Sequence, residues 1–157
     1  KIFNTDWDYM LQRSSYSLTE NLSHSMGTHS LPYIWATVFA FRKTPRANQF
    51  FKLVERIQTN YAYYRDLFNM RERNYRNDYA FAVADIILNG YRLSNVGIPG
   101  TMLTVNQTIN SIDINDRSFV IKDNERAYVV PRTNLHILSK QYLQSENFEK
   151  LINSVTT

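Results

Sequence analysis

The fold prediction starts from the stretch RNDYAFAVADIIL, which occupies residues 76–88. Asn77 can cap a helix here, because its side-chain oxygen can accept a hydrogen bond from a free backbone N–H. Asp78 then falls in the first turn, where the positive end of the helix dipole favours a carboxylate. The apolar side chains that follow recur at helical spacing, and Gly90 suits the position just past a helix end. The stretch therefore predicts a helix with one face in a core and a carboxylate at its start.

Two interpretations of Asp78 follow from this position. In the first, the carboxylate only helps to start a buried helix. In the second, it points into a binding or active site. A carboxylate at the mouth of a buried helix is held rigidly, as a group that orients a substrate must be. The residues alone leave both interpretations open.

The composition is that of an ordinary globular protein. Of its 157 residues, 43% are hydrophobic and 20% are charged, which suits one domain with a core of its own. The net charge of +4 fits an anionic ligand without demanding nucleic acid. Cysteine is absent, which excludes disulfides and thiolate metal sites. Since no apolar run is long enough to cross a membrane and the first residues are not a signal peptide, we expect a cytoplasmic protein.

Two strong elements are predicted before residue 76. Residues 31–43 are aromatic and β-branched and apolar on both faces, which predicts a central strand covered on both sides. Thr44 can cap a following helix and Pro45 suits its first position. An apolar stripe at spacings of three and four carries that helix to about Asn69. Residues 12–30 are rich in Ser, Thr and Asn, which is typical of a loop.

The second half of the chain has the pattern of short strands. Residues 102–105 and 109–114 alternate as strands do, and residues 118–121 and 127–130 flank a polar turn that predicts a hairpin. A last amphipathic helix carries Phe148, Leu151 and Ile152. The order strand, helices, several strands, helix predicts an α/β or α+β fold.

The string Asp6-Trp7-Asp8 is a candidate metal site. Two nearby carboxylates suit a hard divalent cation such as Mg²⁺ or Mn²⁺. A catalytic string of this kind normally ends a buried strand, however, and Ile2-Phe3 is too short to form one. Simple packing of Trp7 and the apolar residues after it is the alternative.

Five segments together resemble a known family. They are residues 31–44, 50–51, 60–64, 77–84 and 136–140. In order and spacing, over roughly residues 31–142, they resemble the second half of a nucleotide-sugar-dependent glycosyltransferase. The resemblance is to glycosyltransferase A fold proteins of environmental bacteria and their phages. In these a strand near the acceptor site precedes a long aromatic helix, then a helix that opens with Asp, and later a closing His-x-x-x-Lys.

The resemblance implies a reaction and roles for the residues around Asp78. The expected activity moves a sugar from a nucleotide sugar to a hydroxyl of a sugar or other acceptor, assisted by Mn²⁺ or Mg²⁺. Asp78 would be the catalytic residue, which orients the sugar or accepts the proton of the acceptor hydroxyl. Arg76, Asn77 and Tyr79, next to it in sequence, would bind substrate.

The resemblance also implies a metal and phosphate site. His136 would be the third metal ligand beside Asp6 and Asp8, and the metal would stabilise the leaving nucleoside diphosphate. Lys140 would bind the substrate by neutralising phosphate charge. If residues 136–140 are helical, His136 and Lys140 share one face. An ordinary packing His and a solvated Lys are the alternatives.

The family's first half, a Rossmann-like nucleotide-binding unit, has no room in this sequence. We therefore predict that residues 1–157 are a single domain, the C-terminal, acceptor-side part of a longer glycosyltransferase-like protein. One alternative is a non-catalytic interaction domain that kept the fold and lost the donor site. Another is a nucleic-acid-binding module that uses a group of arginines and the Tyr-rich helix end. Interleaved acidic residues disfavour it. The arginines are Arg65, Arg71, Arg73 and Arg76, and the acidic residues are Asp66, Glu72 and Asp78.

Overall fold

A computed structural model describes residues 7–13, 15–18, 31, 33–92 and 97–156. The elements, in chain order, are β1 (Tyr9–Gln12), β2 (Ser15–Ser17), β3 (Trp35–Phe41), α1 (Pro45–Thr59), α2 (Tyr61–Leu67), α3 (Asn77–Leu88), β4 (Met102–Val105), β5 (Ser111–Ile114), β6 (Ser118–Lys122), β7 (Ala127–Pro131), β8 (Asn134–Ile137), α4 (Lys140–Leu143) and α5 (Glu146–Thr156). Helices and strands are both present in quantity, which confirms the α/β or α+β class.

The chain forms two compact units. Unit 1 comprises Lys1–Ser14 and Ser23–Pro99, and unit 2 comprises Ser15–Leu22 and Gly100–Thr157. Each unit has its own cluster of buried apolar side chains. The prediction of a single domain within a longer protein stays a prediction.

Unit 1 is a two-stranded sheet packed with helices. Strand β1 pairs with β3 in antiparallel fashion, and α1 and α3 pack against each other. The pairing is irregular: Leu11 lies opposite Phe39, but the next residue, Gln12, lies opposite Trp35. Residues 36–38 of β3 therefore have no partner on β1.

The prediction of a central strand covered on both sides is wrong. Strand β3 is shorter than expected, lies in a two-stranded sheet and alternates between exposed and partly buried residues. Phe39 and Phe41 are 40% and 50% exposed although they are aromatic. The apolar run suggested two covered faces because the sequence pattern records hydrophobicity, and exposed aromatic residues are indistinguishable from buried ones in it.

The helix predicted from Thr44 to about Asn69 is two helices. Its start is as predicted, because the Thr44 hydroxyl accepts the Ala47 N–H at 3.1 Å and Pro45 is the first helical residue. Asn60 then leaves the helical conformation, and its side-chain amide donates to the Arg56 carbonyl at 2.9 Å. The apolar stripe continues across this break because Tyr61 of α2 is also buried. Periodicity alone therefore hid the break.

Helix α3 has the predicted extent but not the predicted cap. Arg76, in extended conformation, is the N-cap and makes no side-chain capping bond. Asn77 is already helical, and its side-chain oxygen accepts from the Tyr75 hydroxyl at 2.8 Å. The expectation that Asn77 caps the helix is wrong, whereas Asp78 lies in the first turn as predicted.

The end of α3 is a Schellman motif. The Gly90 N–H donates to the Ile87 carbonyl at 3.1 Å, and the Tyr91 N–H donates to the Ile86 carbonyl at 2.7 Å. Gly90 has a φ of +62°, a left-handed conformation that costs glycine little. The helix stop predicted at Gly90 is confirmed.

We expect Gly90→Ala to lower the free energy of unfolding of unit 1 by about 1 kcal/mol. An added Cβ has no heavy atom within 4 Å, so the cost is conformational and not steric. Both tryptophans, Trp7 and Trp35, belong to unit 1, so their fluorescence during urea denaturation reports on this unit. Gly90→Asn should cost less, because Asn tolerates this conformation. Equal stability of all three proteins would contradict the helix end described.

Unit 2 contains a parallel and an antiparallel sheet. Strand β4 lies between β2 and β8 and is parallel to both, and β6 lies between β5 and β7. The hairpin of β6 and β7 is confirmed. The prediction of a loop over residues 12–30 is wrong at Ser15–Ser17, which form β2 and pair with β4. Most of the remaining loop, residues 19–30, lies outside the described residues.

Helix α5 confirms the last predicted helix. Phe148 and Leu151 pack against the core of unit 2, whereas Ile152 is 46% exposed. In the described part of the chain, no helix has the length and apolar character that a membrane span requires.

Candidate functional site

The carboxylate of Asp78 links the start of α3 to the start of β3. Its Oδ1 accepts the Ala36 N–H at 2.9 Å, and its Oδ2 accepts the Tyr33 hydroxyl at 3.0 Å. The Arg76 guanidinium lies 3.2 Å from the same Oδ2 and also donates to the Tyr33 oxygen at 3.3 Å. The Asp78 side chain is 15% exposed, so it keeps a limited opening to solvent.

The gap in the β1–β3 ladder explains the bond from Ala36. A backbone N–H in a partly buried strand needs an acceptor, and residues 36–38 have no register partner on β1. The carboxylate of Asp78 takes the place of the missing strand at Ala36. Asp78 is therefore fixed by the backbone of β3 as well as by the first turn of α3.

A pocket opens beside this carboxylate. Its volume is about 340 Å³, and its lining is Ala36, Thr37, Arg76, Asn77 and Asp78. The structure thus brings together three of the five residues that the sequence analysis placed at the substrate. Another of them, Tyr79, is 9% exposed and belongs to the core of unit 1, with its ring 6.4 Å from that of Tyr33. Its role in substrate binding stays a prediction.

The charges at the pocket reinforce each other. Burial, followed by the charge of Asp78, raises the pKa of Tyr33, so this hydroxyl stays a proton donor at neutral pH. Burial lowers the pKa of Arg76, but its interactions with Tyr33 and Asp78 outweigh this and leave that pKa raised. The pocket therefore presents a permanent cation next to a carboxylate whose hydrogen bonds hold it in place.

Asp8 lies elsewhere in unit 1. It comes directly before β1, and its Oδ1 accepts the Thr44 hydroxyl at 2.7 Å. Its Oδ2 lies 3.8 Å from the Arg46 guanidinium. Asp8 thus supports the start of α1, and the neighbouring Arg46 disfavours a second cation. Asp6, its partner in the predicted metal string, lies outside the described residues.

His136 and Lys140 belong to unit 2. His136 is in β8, opposite Thr104 of β4, and Lys140 is the exposed first residue of α4. They do not share a helical face as expected, because residues 134–137 are a strand. Strand pairing with β4 decides the local structure here. Within the described ranges, no three His, Asp or Glu side chains are grouped to hold a metal ion. The Mn²⁺ or Mg²⁺ site stays a prediction.

The arginines proposed for nucleic acid are partly engaged by acids. Arg65 lies 2.7 Å from Asp66, and Arg76 pairs with Asp78. In the Tyr-rich helix, Tyr61 is buried and donates to the Glu72 carbonyl at 3.0 Å, whereas Tyr63 is 64% exposed. These contacts reduce the positive charge and the stacking surface that nucleic acid needs.

Sequence reasoning missed a second carboxylate in α3. Asp85 is 1% exposed and lies 2.8 Å from the Arg13 guanidinium. Its Oδ1 accepts from the Tyr9 hydroxyl at 3.1 Å and from the Asn89 amide at 3.0 Å. Burial, then the charge of Asp85, raises the pKa of Tyr9 to about 12. The one available signal was a lone carboxylate inside an apolar run, since such a group needs a buried partner.

No family model, curated protein or solved structure matches the chain. The glycosyltransferase resemblance rests on sequence segments alone.

Proposed function

We propose that unit 1 binds the hydroxyl groups of a sugar in the pocket beside Asp78. In this proposal the chain is the acceptor-side part of a nucleotide-sugar-dependent glycosyltransferase. The observation that carries the proposal is the pocket lining, in which Thr37, Arg76, Asn77 and Asp78 meet around a space of about 340 Å³. Small polar groups of both donor and acceptor type, held at fixed positions, are what recognition of a polyhydroxyl ligand requires.

The hydrogen-bonding capacity of the site supports a hydroxyl ligand. A carboxylate offers about four acceptor positions. Three donors use the Asp78 oxygens, namely the Ala36 N–H, the Tyr33 hydroxyl and the Arg76 guanidinium, which leaves capacity for a ligand hydroxyl. Among the described residues, the Asn77 side chain bonds only through its oxygen, to Tyr75, so its amide N–H groups can donate to the ligand.

The proposed mechanism uses Asp78 to orient the acceptor. A ligand hydroxyl that donates to the remaining acceptor position of the carboxylate is held in one direction. This orientation lowers the entropy cost of reaching the transition state. The same carboxylate can accept the proton when the hydroxyl attacks the donor sugar. Arg76, at 3.2 Å, pairs with the same carboxylate and helps to hold its direction. Orientation of the acceptor is the main contribution of Asp78 in this proposal.

Sugar binding at this pocket can be measured by saturation-transfer NMR and calorimetry with glucose, galactose, mannose and N-acetylglucosamine. We expect one of them to bind, and Asn77→Ala to weaken it about fivefold, the value of one hydrogen bond. Asn74→Ala is the matched control, because Asn74 is exposed and is not part of the pocket lining. Absence of binding by all four sugars, or equal weakening by the two variants, would overturn the proposal.

The second candidate is the non-catalytic interaction domain. It is favoured by the structural bonds of Asp78, because both of its oxygens already have partners within unit 1. A transfer assay on the same sample separates the candidates. The assay combines UDP- and GDP-sugars, Mn²⁺ and the sugar that binds. Transfer that Asp78→Asn abolishes supports the enzyme, whereas binding without transfer supports the interaction domain.

A further inference from the structure

One face of β3 carries exposed aromatic rings. Thr37, Phe39 and Phe41 alternate with partly buried residues, so they share the exposed face of the strand. The rings of Phe39 and Phe41 have centroids 6.2 Å apart and planes only 22° from parallel. Both rings also contact Phe51, and they are 40% and 50% exposed, so together they form an apolar surface that is partly open to solvent. Such a surface suits stacking against the apolar face of a ring-shaped ligand.

This surface joins two pockets of unit 1. Thr37 lines the pocket beside Asp78, and Phe41 lines a larger one of about 570 Å³. Phe41 lies four positions after Thr37 along the strand, which corresponds to about 13 Å. Phe51, whose ring centroid is 5.1 Å from that of Phe41, forms another part of the larger pocket. A ligand that reaches both pockets is longer than one sugar ring.

The far end of this surface is positively charged. Arg42 and Lys43 line the larger pocket. The first turn of α1 offers few free N–H donors to a ligand in this pocket. The Thr44 hydroxyl accepts the Ala47 N–H, and the Thr44 carbonyl accepts the Asn48 N–H. Asp8, the acidic side chain bonded to Thr44, is compensated by Arg46. The charge of Arg42 and Lys43 therefore favours an anionic group on the ligand.

The geometry points to an acidic oligosaccharide as the ligand of this face, an inference that rests on the proposed function. A sugar ring has an apolar C–H face and a polar edge. On the β3 face, the rings of Phe39 and Phe41 can contact the apolar face, and the hydrogen-bonding groups of the pocket beside Asp78 can contact the polar edge. Hydroxyls of one sugar occupy the pocket beside Asp78, and the next ring stacks on Phe39 and Phe41. A carboxylate or phosphate substituent lies near Arg42 and Lys43.

Calorimetry with the full chain tests this assignment through chain length and charge. The probes are galacturonic acid, tetragalacturonic acid, neutral cellotetraose and a phosphorylated maltotetraose. We expect the acidic tetrasaccharides to bind more tightly than either the monosaccharide or cellotetraose. Comparison of the carboxylate with the phosphate probe identifies the anionic group. Added salt should weaken the acidic probes and not the neutral one.

Variants of exposed residues locate the binding. Phe41→Leu keeps an apolar side chain and removes the ring, and we expect about tenfold weaker binding of tetrasaccharides. Lys43→Gln should weaken the acidic ones about fivefold and leave cellotetraose unchanged. Tyr63→Leu and Lys52→Gln are matched controls, because both residues are exposed and lie outside the pocket linings. Urea denaturation followed by tryptophan fluorescence verifies that each variant is folded.

The outcomes separate this inference from the proposed function. Monosaccharide binding that depends on Asn77, with no gain from chain length and no effect of Phe41→Leu, overturns the inference and keeps the proposed function. Cellotetraose binding as tight as that of the acidic probes overturns the acidic ligand. Failure of every saccharide overturns both.

Discussion

Arg13→Met is expected to lower the free energy of unfolding of unit 1 by about 4 kcal/mol. The Asp85 side chain is 2% exposed, and the Arg13 guanidinium 2.8 Å away is its only ionic partner in the described part of the chain. Among the described residues, removal of the cation leaves this buried carboxylate with Tyr9 and Asn89 as its side-chain partners. The free-energy cost of a buried carboxylate without an ionic partner is much larger than the loss of the contact itself. Tryptophan fluorescence during urea denaturation measures the loss.

Asp85→Asn should cost less than Arg13→Met. The remaining Arg13 side chain is 22% exposed and can turn toward water, whereas the carboxylate cannot. In the double variant, the coupling energy between the two sites should reach about 2 kcal/mol. Arg65→Met is the matched control, because its partner Asp66 is 70% exposed, and it should cost less than about 1 kcal/mol. A similar loss for Arg13→Met and Arg65→Met would contradict the buried pair.

The sequence anticipated α3 well because its signals are local. The apolar run, the carboxylate in the first turn and Gly90 all lie within fifteen residues of each other, and each acts on its neighbours. The partners of Asp85 could not be anticipated, because Arg13 is 72 residues away in the chain. The same limit applies to β2, three residues whose pairing partner β4 begins at Met102. Long-range pairing leaves no trace in local periodicity.

The candidate site was anticipated in part for the same reason. Arg76, Asn77 and Asp78 are adjacent in sequence, so a helix start brings them together at one pocket. The contribution of Ala36 depends on a gap in the β1–β3 ladder, which no sequence pattern records. The shared face of His136 and Lys140 assumed a helix, and the strand pairing of β8 with β4 replaced it.

Phe50→Ala is expected to lower the free energy of unfolding of unit 1 by about 3–5 kcal/mol. Phe50 is fully buried in α1, at the centre of the aromatic cluster of unit 1. Its ring stacks on Tyr9 at 4.3 Å and meets Phe81 edge-on at 5.4 Å. Truncation removes these contacts and leaves a cavity that two helices and a strand cannot close without moving. Urea denaturation followed by tryptophan fluorescence measures this loss.

Phe41→Ala is the matched comparison, because it removes the same ring from a position that is 50% exposed in the same unit. Water already covers half of that ring, so its truncation opens a surface instead of a cavity. We expect a loss of about 1 kcal/mol. A difference of at least 2 kcal/mol between the two variants would support the burial of α1 against β1 and α3. Equal losses would mean that Phe50 is not in the core, and the packing of unit 1 would need to be revised.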